Sequence, residues 1–202
     1  MFDKAKSNGA KGDGFDKLEE QLGLSSNKTS NNKEPPQEQV QPIIDLFNQA
    51  QLQQTLIEAQ QLLTTFPSSV TLYNIIGAAN KALGKLEEAI EAYNKAISLR
   101  PGFADAHNNM GNALKEQGKL DEALEAYNKA LNINPKNAEA NFNMGNVFRE
   151  KGKLDEAIEA YNEAISIKPN YADVHNNLGN ALHNKGKLEE AIEAYTKAIS
   201  IK

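Results

Sequence analysis

An all-α chain built of antiparallel helix pairs is the fold class that the 202-residue sequence predicts, on two spacings and a composition. Pro67, Pro101, Pro135 and Pro169 stand 34 residues apart, and so do Gly84, Gly118, Gly152 and Gly186. Two punctuating residues at a fixed offset divide each period into two elements, one closed by the glycine and one ending before the proline. The chain is 40% hydrophobic but only 6% aromatic, which suits an α-solenoid that buries a strip of small residues in every repeat.

The same composition excludes several kinds of chemistry. With no cysteine, neither a disulfide framework nor a thiolate metal site or thiol nucleophile can form. The formal net charge of −5 comes from acids mixed with lysines, so there is no basic stripe for a phosphate backbone and no nucleic-acid partner is expected. No apolar run approaches a membrane span, and the first 30 residues lack a basic-then-apolar signal pattern. The expectation is a cytoplasmic protein without a membrane partner.

In chain order, residues 1–41 form a first segment rich in Lys, Asn, Ser, Gly and Gln and interrupted by Pro35 and Pro36. It has too little apolar surface to offset its ordering entropy and is expected to be disordered. Phe15, Leu18 and Leu22 form one island of helical spacing within it, which could fold on a partner or be no more than a transient turn. Residues 42–69 read as a divergent capping helix pair. Pro42 suits a first helical turn, and Ile43, Ile44, Leu46 and Phe47, then Leu52, Leu56, Ala59, Leu62, Leu63 and Phe66, supply two apolar stripes. Ala50 stands where each later repeat has its turn glycine.

Residues 70–202 hold four repeats, at 70–103, 104–137, 138–171 and 172–202, the last ending just before its proline. In the second repeat His107, Met110, Gly111 and Leu114 share one side of a helix, which is its core side. A glycine inside a helix costs about 1 kcal/mol relative to alanine, so its recurrence as Gly77, Gly111, Gly145 and Gly179 predicts close approach of another helix there. In the second helices Ala123, Tyr127 and Ala130 recur at each period, small residues flanking one ring.

This arrangement resembles the tetratricopeptide repeat, whose pattern W-x2-L-G-x2-Y, A-x3-F, P falls on His107, Met110, Gly111, Leu114, Ala123, Tyr127, Ala130 and Pro135. It departs at the pattern's Trp, which is Tyr73, His107, Asn141 and His175 here, and at its Tyr, which is Asn80, Leu114, Phe148 and Leu182. The resemblance implies a right-handed superhelix of helix pairs with the first helices lining a concave groove.

Opposite the core side of each first helix, a period of 100° per residue gathers Asn74, then Asn108, Asn109 and Asn112, then Phe142, Asn143 and Asn146, then Asn176, Asn177 and Asn180. A carboxamide offers a donor and an acceptor and can bind a peptide backbone without reading side chains. These nine asparagines are the candidate peptide-binding residues, led by Asn109, Asn143 and Asn177. The competing reading is that the amides bond across neighbouring helices or hydrate an exposed face. The run HNNMGNALKEQGKLDEALEAYNKAL is similar to the repeats of protein O-GlcNAc transferases, which implies a groove for extended peptides. It does not resemble the chaperone-binding branch, which grips a terminal carboxylate with lysines, since Thr71, Asn74 and Asp105 stand at the matching positions.

No catalytic residue, metal site or cofactor is read from the sequence. His107 and His175 lie two repeats apart, and His183 is about 12 Å of helix rise from His175. The acids early in the second helices, such as Asp121 and Glu122, complement the helix dipole. The expected function is a non-catalytic scaffold that binds a protein or peptide ligand. One alternative is the substrate-recruiting part of a larger glycosyltransferase or sulfotransferase, as the resemblance implies. The other is self-association through the C-terminal helix, whose Ile192, Tyr195 and Ile199 would be uncovered. Truncation of a longer array is the favoured explanation of that open face.

Overall fold

The computed structural model describes residues 34–201, and among these the chain forms ten α-helices and no strand. In chain order they are α1 (Gln37–Asn48), α2 (Leu52–Leu63), α3 (Val70–Ala82), α4 (Leu86–Leu99), α5 (Ala104–Glu116), α6 (Leu120–Ile133), α7 (Ala138–Glu150), α8 (Leu154–Ile167), α9 (Ala172–Asn184) and α10 (Leu188–Ile201). The residues divide into two compact units at Pro101, with α1–α4 in the first and α5–α10 in the second. The all-α fold follows the predicted punctuation. No helix among the described residues is long and apolar enough to cross a membrane.

The expected disorder of residues 1–41 and the island at Phe15, Leu18 and Leu22 lie outside the described residues up to residue 33. Over residues 37–41 the expectation needs correction, because α1 begins at Gln37 and not at Pro42. Pro36 is its N-cap, and the Pro36 carbonyl accepts from the Gln39 and Val40 N–H groups at 2.9 and 3.3 Å. Val40 then joins Ile43 and Ile44 in one buried stripe, and that burial outweighs the hydrogen bond that Pro42 cannot donate inside the helix.

The first unit packs α1 to α4 around Ile44, Ala59, Leu72, Ile75 and Ala79. Glu34 ties its start to α3. Its carboxylate accepts from the Ser69 hydroxyl at 2.5 Å and from the Val70 N–H at 2.8 Å, while Ser69 Oγ accepts from the Leu72 N–H at 3.1 Å. An anion and a hydroxyl together thus satisfy donors that open the helix.

Each glycine that ends a first helix has a positive φ, between 73° and 79°. At Gly84 the wrap is complete: its N–H donates to the Lys81 carbonyl and the Lys85 N–H to the Asn80 carbonyl, both at 2.9 Å. Ala50 makes the same turn with φ 57°, its N–H donating to Phe47 and that of Gln51 to Leu46, both at 2.9 Å. A Cβ in that region is strained by about 1 kcal/mol. Ala50→Gly is therefore expected to stabilise the first unit by about 1 kcal/mol, read as a higher urea midpoint at unchanged slope.

In the second unit the three helix pairs stack in sequence, with α7 packed on α6 and α9 on α8. Each tyrosine of a second helix lies against the first-helix glycine of its own repeat. A Cβ on Gly111 or Gly145 would stand 2.6 Å from Cε1 of Tyr127 or Tyr161. The close approach predicted from the recurring glycines is thus made by a ring.

Candidate functional site

The candidate asparagines lie on α3, α5, α7 and α9, but the structure gives them different environments. Asn74, Asn108 and Asn109 are buried, the last with 7% of its surface exposed. Asn112, Asn143, Asn146, Asn177 and Asn180 are half-buried, and Asn176 is exposed.

Two of the amides bond between first helices. Asn143 Nδ2 on α7 donates to Asn108 Oδ1 on α5 at 3.2 Å, and Asn177 Nδ2 on α9 donates to Asn146 Oδ1 on α7 at 2.8 Å. The leading positions Asn143 and Asn177 therefore spend a donor on inter-repeat stacking. Part of the asparagine ladder is what the competing reading holds it to be, a zipper of carboxamides along the first helices.

A different trio is held by tyrosines. Tyr127, Tyr161 and Tyr195 each donate a phenolic hydrogen bond of 2.8 Å to Oδ1 of Asn112, Asn146 and Asn180, respectively. The bond fixes the amide plane and assigns the oxygen to the tyrosine. What remains is the Nδ2 group with two N–H donors, repeated at the spacing of the array. Sequence periodicity singled out both residues of each pair but not the bond between them, because it joins a core position of one helix to a polar position of another.

Burial pushes the Tyr127 phenol far above its ordinary value, with the carboxylates of Glu139 and Glu116 adding to the effect. Burial likewise raises Tyr161, although a hydrogen bond and charge from Arg149 oppose it. Because the folded values are raised, this contribution to stability is complete below about pH 10 and is lost as pH rises, when only the unfolded chain releases the protons. The expected slope is at most about 1.4 kcal/mol per pH unit for each buried phenol. In an alkaline titration of the chain carrying ring-labelled tyrosine, the assigned NMR signals of Tyr127 and Tyr161 should report ionisation only as helical circular dichroism is lost, above about pH 10. Ionisation of these two phenols with the helices intact would contradict this.

Two of the residues at the pattern's Trp position share a task that the sequence did not reveal. Tyr73 and His175 reach back to the proline turn that precedes them, the Tyr73 hydroxyl donating to the Pro67 carbonyl at 3.4 Å and His175 Nε2 lying 2.9 Å from the Pro169 carbonyl. Asn141 Nδ2 donates to the Asn137 carbonyl at 3.3 Å. His107 is buried and His183 exposed. Phe142, which periodicity places beside the asparagines, belongs to an aromatic cluster, with ring centroids 5.3 Å from Tyr171 and 6.1 Å from Tyr161. Also in the second unit, Lys151 pairs with Asp121 and Lys185 with Asp155. The hydrogen bond from Lys151 holds the exposed Asp121 carboxyl below its ordinary value. Among the described residues no group of three or more His, Asp or Glu side chains is arranged to hold a metal ion.

Family models described as TPR repeat match residues 77–118, 111–148 and 145–186, and one described as tetratricopeptide repeat matches 172–202. The chain belongs to the tetratricopeptide repeat family. No match was found among curated proteins. Among solved structures it is similar to a MamA crystal structure, at 27% identity and TM-score 0.69 over 78% of this chain and 92% of that one. A MamA of Desulfovibrio magneticus RS-1 (20% identity, TM-score 0.70, 82% and 93% covered) and PilF of Pseudomonas aeruginosa (20%, 0.77, 82% and 76%) share the TPR fold alone. A TPR array is a protein-interaction module, and that is the role this membership assigns to the chain. The finer resemblance to O-GlcNAc transferase repeats finds no counterpart in these neighbours, which are MamA and PilF proteins.

Proposed function

We infer that the chain is a non-catalytic scaffold that holds an extended peptide or a partner helix on the asparagine face of its first helices. The observation that carries this reading is the set of tyrosine-held carboxamides. Asn112, Asn146 and Asn180 have their oxygens fixed by 2.8 Å bonds, so their N–H donors are oriented before a ligand arrives. Preorganised donors bind at a lower ordering cost than free side chains. Successive carbonyls of an extended chain are suitable acceptors, and the recognition is largely independent of sequence. Asn176 and Asn177 lie beside the trio and widen the polar surface, whereas Asn143 is committed to Asn108, the buried Asn108 and Asn109 support the surface from within and Asn74 belongs to the first unit.

The substitutions Asn112→Asp, Asn146→Asp and Asn180→Asp, made together, test this reading. Aspartate keeps an oxygen for each tyrosine but removes the N–H donors. Peptides selected from a random library on the wild-type chain should bind the triple variant at least about tenfold more weakly, a loss of about 1.4 kcal/mol, while helical circular dichroism is unchanged. Equal binding would reject the site. A carboxamide face that binds backbone would equally serve as the substrate-recruiting part of a glycosyltransferase like those the repeats resemble; the discriminating result is selection of serine- or threonine-bearing peptides over others.

A further inference from the structure

Arg149 is the one basic residue of α7, and it is exposed three residues after Asn146, so the two side chains share a face of that helix. The guanidinium bonds to the Tyr161 hydroxyl, the group that donates to Asn146 Oδ1 at 2.8 Å. Asn177 Nδ2 donates to the same Asn146 oxygen, also at 2.8 Å. Side chains from α7, α8 and α9 thus meet around one buried tyrosine. The hydroxyl spends its proton on Asn146, and the donors left at this point are the rest of the guanidinium fork, the Nδ2 group of Asn146 and the second Nδ2 hydrogen of Asn177.

Among the described residues no carboxylate pairs with Arg149, whereas Lys151, Lys153, Lys185 and Lys187 each have one. The preceding repeat is opposite in sign, because the charges acting on Tyr127 are the carboxylates of Glu139 and Glu116. At the position of Arg149 the other repeats have Lys81, Lys115 and His183, none of which offers a fork of parallel donors. One repeat of the asparagine face therefore carries a cation of its own.

We propose that Arg149, with Asn146 and Asn177, forms a subsite for a carboxylate side chain of the bound peptide, so that the ligand carries aspartate or glutamate beside the residue whose carbonyl Asn146 holds. This subsite presupposes the peptide-binding face proposed above and gives it one side-chain preference. A guanidinium takes a carboxylate through two parallel N–H bonds. Side chains three apart on a helix are about 5–6 Å from each other and successive residues of an extended chain about 3.4 Å, so one peptide can reach Asn146 with its backbone and Arg149 with a neighbouring side chain. A single cation balances a carboxylate, whereas a phosphate of about −2 would be left half neutralised.

Peptides selected from a random library on the full wild-type chain should carry aspartate or glutamate at one register position, and changing that residue to its amide should weaken binding about fivefold, less at raised salt. Arg149→Gln should weaken the acidic peptide by the same factor and leave its amide counterpart unchanged, a coupling that a merely structural role of Arg149 would not produce. Arg149→Glu should move the preference at that position to lysine or arginine, and circular dichroism checks that both variants keep their helices. Selection without an acidic preference, or equal losses of both peptides in Arg149→Gln, would overturn the subsite while the peptide-binding face stands, provided that Asn112→Asp, Asn146→Asp and Asn180→Asp together still weaken binding. Tighter binding of a phosphoserine peptide than of the acidic one would overturn it in favour of a phosphate ligand. Undiminished binding to that triple variant would overturn the face and the subsite together.

Discussion

Replacing Tyr161 by alanine is expected to cost about 3–5 kcal/mol. The ring is fully buried, lies against Gly145 and Phe142, and is flanked by Ala157 and Ala164, neither of which can expand into the vacated space. Tyr161→Phe keeps the ring and removes the hydroxyl's bond to Asn146, whose oxygen still accepts from Asn177, together with its interaction with Arg149, so the expected cost is about 1 kcal/mol. Tyr195→Ala should cost less than Tyr161→Ala because Tyr195 is only half-buried. Urea unfolding followed by circular dichroism measures all three. Equal losses for the alanine and phenylalanine variants would show that the hydroxyl, not the ring, holds the repeat.

Gly111→Ala should also destabilise, by about 1–2 kcal/mol, although alanine is the better helix former by about 1 kcal/mol. The new Cβ would stand 2.6 Å from Tyr127 Cε1 and 2.8 Å from Cδ1. The ring has no room to retreat, since Ala123, Ala126 and Ala130 are buried around it. Combined with Tyr127→Leu, which removes the ring edge, the alanine should lose most of its effect, a coupling that a double-mutant cycle reads directly. Gly118→Ala provides the contrast. A Cβ at Gly118 would meet no atom within 4 Å, but the φ of +77° there makes any Cβ costly by about 1 kcal/mol, and that cost should not depend on Tyr127.

These two glycines show why so much of the fold was legible in the sequence. Gly118 and Pro135 act through local backbone conformation, which is a property of the residue itself, so their 34-residue spacing marks the helix ends without further information. Gly111 and Tyr127 are a packing pair, and their joint recurrence pointed to a close approach whose partner the structure identifies. The start of α1 was less legible because Pro42 has the local signature of a first turn, while the burial of Val40, Ile43 and Ile44 that places it inside the helix depends on tertiary packing. The asparagine face was legible only as a surface. Which amides bond across to the next repeat, as Asn143 does to Asn108, and which are held by a tyrosine, as Asn112 is by Tyr127, depends on contacts between helices that no local period encodes.

That division of labour among the asparagines is the centre of the account, and side-chain amide NMR resonances test it most directly. On titration with a peptide selected from a random library, the Nδ2 proton signals of Asn112, Asn146 and Asn180 should shift in proportion to occupancy, while that of Asn143, bonded to Asn108, stays in place. Shifts at Asn143 with none at Asn112, Asn146 and Asn180 would contradict it.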